Sequence, residues 1–156
     1  MAIRLAKAME ELNGLKMNCA ESVLLKVNRE KELPGFETPI MKIASAFGGG
    51  VCGRGELCGA VTGGVICQAL VNGTTGMESP SSFETRRKRL RDTVRNYLDS
   101  FYDAWGSVRC DELRAMDKGE LLPSGKERGN HSINDSNCDK YVLWVANEIC
   151  SRLEDI

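Results

Sequence analysis

Two cysteines and eight glycines crowd into the stretch from Phe47 to Gly64, FGGGVCGRGELCGAVTGG, and here the chain most plainly invites chemistry. Glycine inside a helix costs roughly 1 kcal/mol relative to alanine. Gly59, Gly63 and Gly64, set in a helical pattern, therefore need a positive reason, either close helix packing or access to a buried group. Cys58, at the head of that pattern, becomes a candidate for thiol or metal chemistry. The plainer alternative is that small residues let two helices cross while the thiols sit as small hydrophobes.

The chain carries seven cysteines, at 19, 52, 58, 67, 110, 138 and 150, and an odd number cannot all pair internally. Met1 to Leu12 is interrupted by Arg4, Lys7, Glu10 and Glu11, so it lacks a secretory apolar core, and no apolar run reaches membrane-spanning length. The expected setting is cytoplasmic, where scattered cysteines serve metal ligation or redox work more than a disulfide framework. A length of 156 residues with 42% hydrophobic content suits a single domain over 1–156. Lys+Arg 21 against Asp+Glu 22 leaves a net charge of -1, which offers no field to draw nucleic acid or an anionic membrane.

The elements that must position the thiols read as helices. Asn18, with Glu21 three residues on, marks the start of a helix running to about Lys31, with Val23, Leu24 and Val27 as its stripe. Pro34-Gly35 stops it. Thr38-Pro39 opens a short helix through Ile40, Ile43, Ala44 and Phe47, ending on Gly48-Gly49-Gly50. The next helix is expected from near Glu56 to about Val71. The longest runs from about Ser82 to Trp105, on the stripe Leu90, Val94, Tyr97, Leu98, Phe101 and Trp105. Ser107 is placed to cap a short helix containing Cys110, Leu113 and Met116. A polar loop over 117–136 follows, long enough to be a surface feature. A final helix, capped by Asp135 or Ser136, runs from about Asn137 to Leu153. The expected fold is all-α, a compact domain of five or six helices.

On this map Cys19, Cys58, Cys110 and Cys138 each fall within the first turn of a helix. Free backbone N–H groups and the positive end of the helix dipole favour a thiolate there, and depressed thiol pKa values are expected. The four are read as one site at converging helix N-termini. Cys67, nine residues after Cys58, projects from the opposite face at about 100° per residue, and Cys150 lies near a helix C-terminus that disfavours a thiolate. Both are read as filler. Cys52 is left open between a fifth ligand, a resolving thiol and no role.

Other residues carry weaker signals. Arg86, Arg87, Lys88, Arg89, Arg91 and Arg95 form a basic run on the long helix, either a solvated face or a surface for an acidic partner protein. His131 reads as an exposed loop histidine, with metal ligation as the alternative. Trp105 and Trp144 fit the core stripes, and Arg54 and Glu56 stand near Cys58 without an assignable acid/base partner. The triple glycine follows a helix rather than a strand, so a dinucleotide-binding reading fails.

Asn18-Cys19-Ala20, Phe47-Gly48-Gly49-Gly50, the motif Cys58-Gly59-Ala60-Val61-Thr62-Gly63, Cys110 with Leu113, and Cys138 together resemble the C_GCAxxG_C_C family of redox-active proteins. The family's four cysteines fall on Cys19, Cys58, Cys110 and Cys138. A similar helical module in split-Soret cytochromes is associated with an iron–sulfur cluster, so the resemblance implies a [2Fe–2S] or [4Fe–4S] cluster on these four, although this chain has no CxxCH haem signature. Cys52, Cys67 and Cys150 depart from the family pattern.

Three functions follow. Four thiolates from four helices could hold an iron–sulfur cluster for electron transfer, with small glycines letting backbone N–H groups reach the sulfurs. A low-pKa cysteine with a resolving partner would make a thiol–disulfide redox enzyme, though the chain lacks CxxC. Four cysteines could instead hold structural zinc as an interaction module, although separations of 39, 52 and 28 positions are unlike the usual paired spacing. A redox partner protein is expected and a homodimer is left open.

Overall fold

Asn18 organises the start of the fold. The computed structural model describes residues 15–119 and 136–153, and in it α1 spans Cys19–Lys31 with Asn18 as its N-cap. The Asn18 side chain accepts from the Glu21 amide, and the Glu21 carboxylate accepts from the Asn18 amide, both at 2.9 Å. This is the reciprocal capping that the Asn-x-x-Glu spacing predicts. The same Asn18 side chain donates to the carbonyls of Ala44 and Ser45, which ties the end of α2 (Thr38–Ala44) to the start of α1.

Helix α3 (Gly59–Asn72) begins three residues later than the pattern suggests, because Glu56 to Cys58 is drawn into an extended pairing with the chain before Cys110. Helix α4 (Pro80–Trp105) starts two residues early, capped by Ser79 with proline at its first position, and ends on Gly106 at φ 84°. Helix α5 (Cys110–Lys118) has Arg109, not Ser107, as its N-cap; the Ser107 hydroxyl accepts from the Arg109 amide and donates to Glu112. A 3-10 turn, Ser136–Cys138, leads into α6 (Asp139–Arg152), whose N-cap is Cys138. Asp135 and most of the polar loop, with His131, lie outside the described residues.

Helices α1, α3 and α6 pack on one another, and α4 closes against α3. Val23, Leu24, Val27, Val61, Val145 and Ile149 fill the space between them with almost no exposure. Tyr97 and Phe101 are the two fully covered side chains of α4. Phe101 meets Trp144 edge-on at 5.5 Å and Tyr141 at 6.1 Å, contacts that add to area burial. Trp105 and Trp144 are half-buried flanks of this core rather than members of it.

The glycines separate into kinds. A Cβ on Gly63 would meet Val23 Cβ at 2.8 Å, and one on Gly64 would collide with the Tyr97 hydroxyl and come within 2.9 Å of Val145. These two let α1, α4 and α6 approach α3. The regular elements of the described residues are six α-helices, one 3-10 turn and one isolated bridge, and none of those helices is long and apolar enough to cross a membrane.

Candidate functional site

Each of the four motif cysteines stands at the very start of a different helix. Cys19 and Cys110 are the first residues of α1 and α5, and Cys58 and Cys138 are the N-caps of α3 and α6. Two backbone bonds clamp the middle pair: the Cys58 amide donates to Val108 O at 2.8 Å, and the Cys110 amide to Glu56 O at 2.7 Å. The bridge between Leu57 and Arg109 lies between them. Arg109 reinforces the junction through Glu56 at 3.4 Å and Asp111 at 2.9 Å.

Cys58, Cys110 and Cys138 are buried and near enough that ionising one opposes ionising the next. Cys19 lies close to the start of α3, since a Cβ on Gly59 would stand 3.2 Å from the Cys19 Cβ and 2.9 Å from Phe47 O. A Cβ on Gly50 would come within 2.7 Å of the Cys110 Cβ. Bare backbone at Gly50 and Gly59 therefore lets two of the thiols sit where they do. Cys58, Cys110 and Cys138 thus sense one another, and the start of α1 that carries Cys19 lies against Gly59.

Their electrostatics differ from the sequence expectation. Burial pushes the Cys58 thiol from 9.0 up to about 12; the amides of Val61 and Ala60 oppose this, and Cys110 and Cys138 add to it. Cys110 is also pushed up by burial, against the neighbouring Arg114 guanidinium and with Cys138. The helix N-terminus is present, but its pull is smaller than the cost of charging sulfur inside an apolar core. The prediction of depressed pKa values is thus overturned at Cys58 and Cys110.

The glycine loop behaves differently as well. Residues 49 to 53 all have positive φ, including Val51 at 63° and Cys52 at 50°. The amides of Cys52, Gly53, Gly55 and Glu56 donate back to carbonyls of residues 46 to 50, so those N–H groups are committed within the loop rather than aimed at sulfur. The amides that stabilise Cys58 come from α3 itself. Cys52 is exposed, and its thiol donates to Ala46 O at 3.3 Å.

Cys67 is fully buried in α3, and its pKa is raised by burial and then by Cys150 of α6. The two expected fillers are therefore neighbours of one another, away from the four. Among the described residues no group of three or more His, Cys, Asp or Glu side chains is drawn together closely enough to hold a metal ion.

Three neighbours of the site escape a reading of motifs. Arg114 reaches Cys110 from one helical turn on, the i, i+4 spacing that could have flagged it. Tyr141 follows Cys138 by three positions, and its hydroxyl donates to the Asp117 carboxylate at 3.0 Å. Tyr97 donates to Val61 O at 3.1 Å, and its hydroxyl is held neutral by burial, by Cys58 and by Cys67. Tyr97 reads in sequence as core stripe, and neither hydroxyl gives a separate signal there.

A helical fold with four thiols at helix starts defines a cysteine-centred protein. The profile of the family described as "Putative redox-active protein (C_GCAxxG_C_C)" matches residues 17–151, and the chain belongs to that family. Comparison with curated proteins and with solved structures finds no match.

Proposed function

We propose that the protein transfers electrons through an iron–sulfur cluster held by Cys19, Cys58, Cys110 and Cys138. The observation that supports this reading is that Cys58, Cys110 and Cys138, each at a helix start, sense one another, while bare backbone at Gly50 and Gly59 admits Cys110 and Cys19. The donor set suits the group: these are soft ligands, and as bare thiolates the three buried ones repel one another, a repulsion that a cationic iron–sulfide core offsets. Such a cluster supplies one-electron transfer at a potential set by its ligands, nearby amides and burial. The chain's own contribution is to exclude water, to turn the Val61 and Ala60 amides toward Cys58, and to set Arg114 beside Cys110.

The same observations weigh against the alternatives. A nucleophilic cysteine must ionise, and burial pushes the thiols of Cys58 and Cys110 up, which disfavours either of them as the attacking group in the metal-free protein. Structural zinc sites are usually built from closely spaced cysteine pairs, whereas these four are separated by 39, 52 and 28 positions. The test is anaerobic purification followed by iron and acid-labile sulfide analysis and a visible spectrum. Serine at any of the four positions is expected to abolish or weaken the chromophore, whereas Cys67→Ser and Cys150→Ser leave it unchanged. Colourless protein with stoichiometric zinc, or with neither metal nor sulfide after reconstitution, overturns the reading.

A further inference from the structure

Helix α4 is two structures in one. Its C-terminal part, from Tyr97 on, is built into the core and flanks the cysteine site through Tyr97 and Trp105. Its N-terminal part, from Pro80 to Asn96, has no buried residue; only Phe83, Leu90, Thr93 and Val94 are even half-covered. The basic run lies on this free part, and Arg86, Arg87, Lys88, Arg89, Arg91 and Arg95 are all exposed.

Six cations against Glu84 and Asp92 give residues 84–95 a net charge of +4 in a chain whose total is -1, so the remainder carries -5. Among the described residues the run makes one ion pair, Lys88 with Asp92 at 2.6 Å, and one ring contact, Arg87 over Phe83 at 4.2 Å. Arg87, Arg91 and Arg95 recur every fourth residue and so share a side of the helix. Guanidinium groups so spaced match carboxylates bidentately. The run is therefore not consumed by intramolecular salt bridges.

We propose that the free half of α4 is the docking arm for an acidic electron-transfer protein, with Arg87, Arg91 and Arg95 as its contact stripe. The need for such a partner rests on the redox reading above, but the docking itself requires no cluster. From Arg91 to Tyr97 is six residues, about 9 Å along the helix axis, and Tyr97 packs on Val61 and Gly64 of α3, so the arm adjoins the helix that begins at Cys58. Redox encounters are small and electrostatically steered, which an exposed cationic stripe serves. A long polyphosphate backbone is the poorer match, because it must also pass a surface carrying -5 and the acids Glu84 and Asp92 within the run.

Fluorescently labelled flavodoxin, a small acidic redox protein, is titrated with the full chain and with the variant R87E/R91E/R95E, at low and at physiological salt, in cluster-loaded and metal-free forms. Saturable binding that weakens with salt and falls about tenfold or more in the variant is expected, in both forms, with R91Q/R95Q intermediate. Circular dichroism confirms that each variant is folded; the exposed positions make unfolding avoidable, and the milder variant serves if the triple one fails. Equal binding by variant and parent, no binding at low salt, or tighter binding of a DNA duplex than of flavodoxin overturns the proposal. Protein that takes up neither iron nor sulfide on anaerobic reconstitution, yet binds flavodoxin as expected, would sink the cluster reading alone.

Discussion

In the metal-free protein the Cys58 proton is held by its surroundings, and that has a measurable price in alkali. The thiol ordinarily ionises at 9.0, but in the fold only at about 12. As pH rises the unfolded chain therefore sheds this proton first. The stability gained by keeping the thiol neutral is complete below about pH 9 and is lost between about pH 9 and 12, at roughly 1.4 kcal/mol per unit. Urea midpoints of the metal-free protein are expected to fall over that window, and Cys58→Ala is expected to flatten the decline. An unchanged slope in Cys58→Ala would mean that other groups dominate. The identity of the motif thiols was legible from cysteine spacing and the CGAVTG motif, but their ionisation was not. Position at a helix start is visible in sequence, whereas the depth at which Cys58 is covered depends on α4 and α6, which lie 20 residues and more further along the chain.

Glycines in α3 carry distinct duties that one pattern cannot distinguish. Gly59 faces Cys19 and Phe47, while Gly63 faces Val23 and the Ala20 carbonyl. Gly59→Ala is expected to disturb iron retention or the visible spectrum, and Gly63→Ala to cost about 1–3 kcal/mol by overpacking while leaving the spectrum alone. Identical spectra for the two variants would remove Gly59 from the site. Helix starts and stops were read well where a cap or a proline writes them locally, as at Asn18, Pro39 and Gly106. They were misread at Glu56 and Ser107, because a two-residue pairing between segments fifty positions apart takes over both stretches. Ser107 has the chemistry of a cap and uses it two residues early.

For the molecule as a whole, α1, α3 and α6 share one core, and Phe101 extends it to α4. Phe101 is fully buried and touches Trp105, Tyr141 and Trp144. Its truncation to alanine is expected to cost about 3–5 kcal/mol, a large part of the stability of a domain this size, and chemical denaturation measures it. Substitutions on the exposed basic run should by contrast shift the midpoint little. The all-helical class followed from period and punctuation, and the chain's membership of a redox-active family from four cysteines and one motif.

The loop from Gly49 to Gly53 winds with inverted handedness, and two of its five residues are chiral amino acids held on the side of backbone space that glycine enters freely. For those two positions the mirror-image monomer is the natural fit: a D-valine at 51 would rest where the L-residue is crowded. Backbone handedness at that corner is thus imposed on Val51 and Cys52 by their glycine neighbours and by the carbonyls of residues 46 to 50 that close the loop. The turn that brings Gly50 against Cys110 is chosen by an absence of side chains rather than by any side chain's preference.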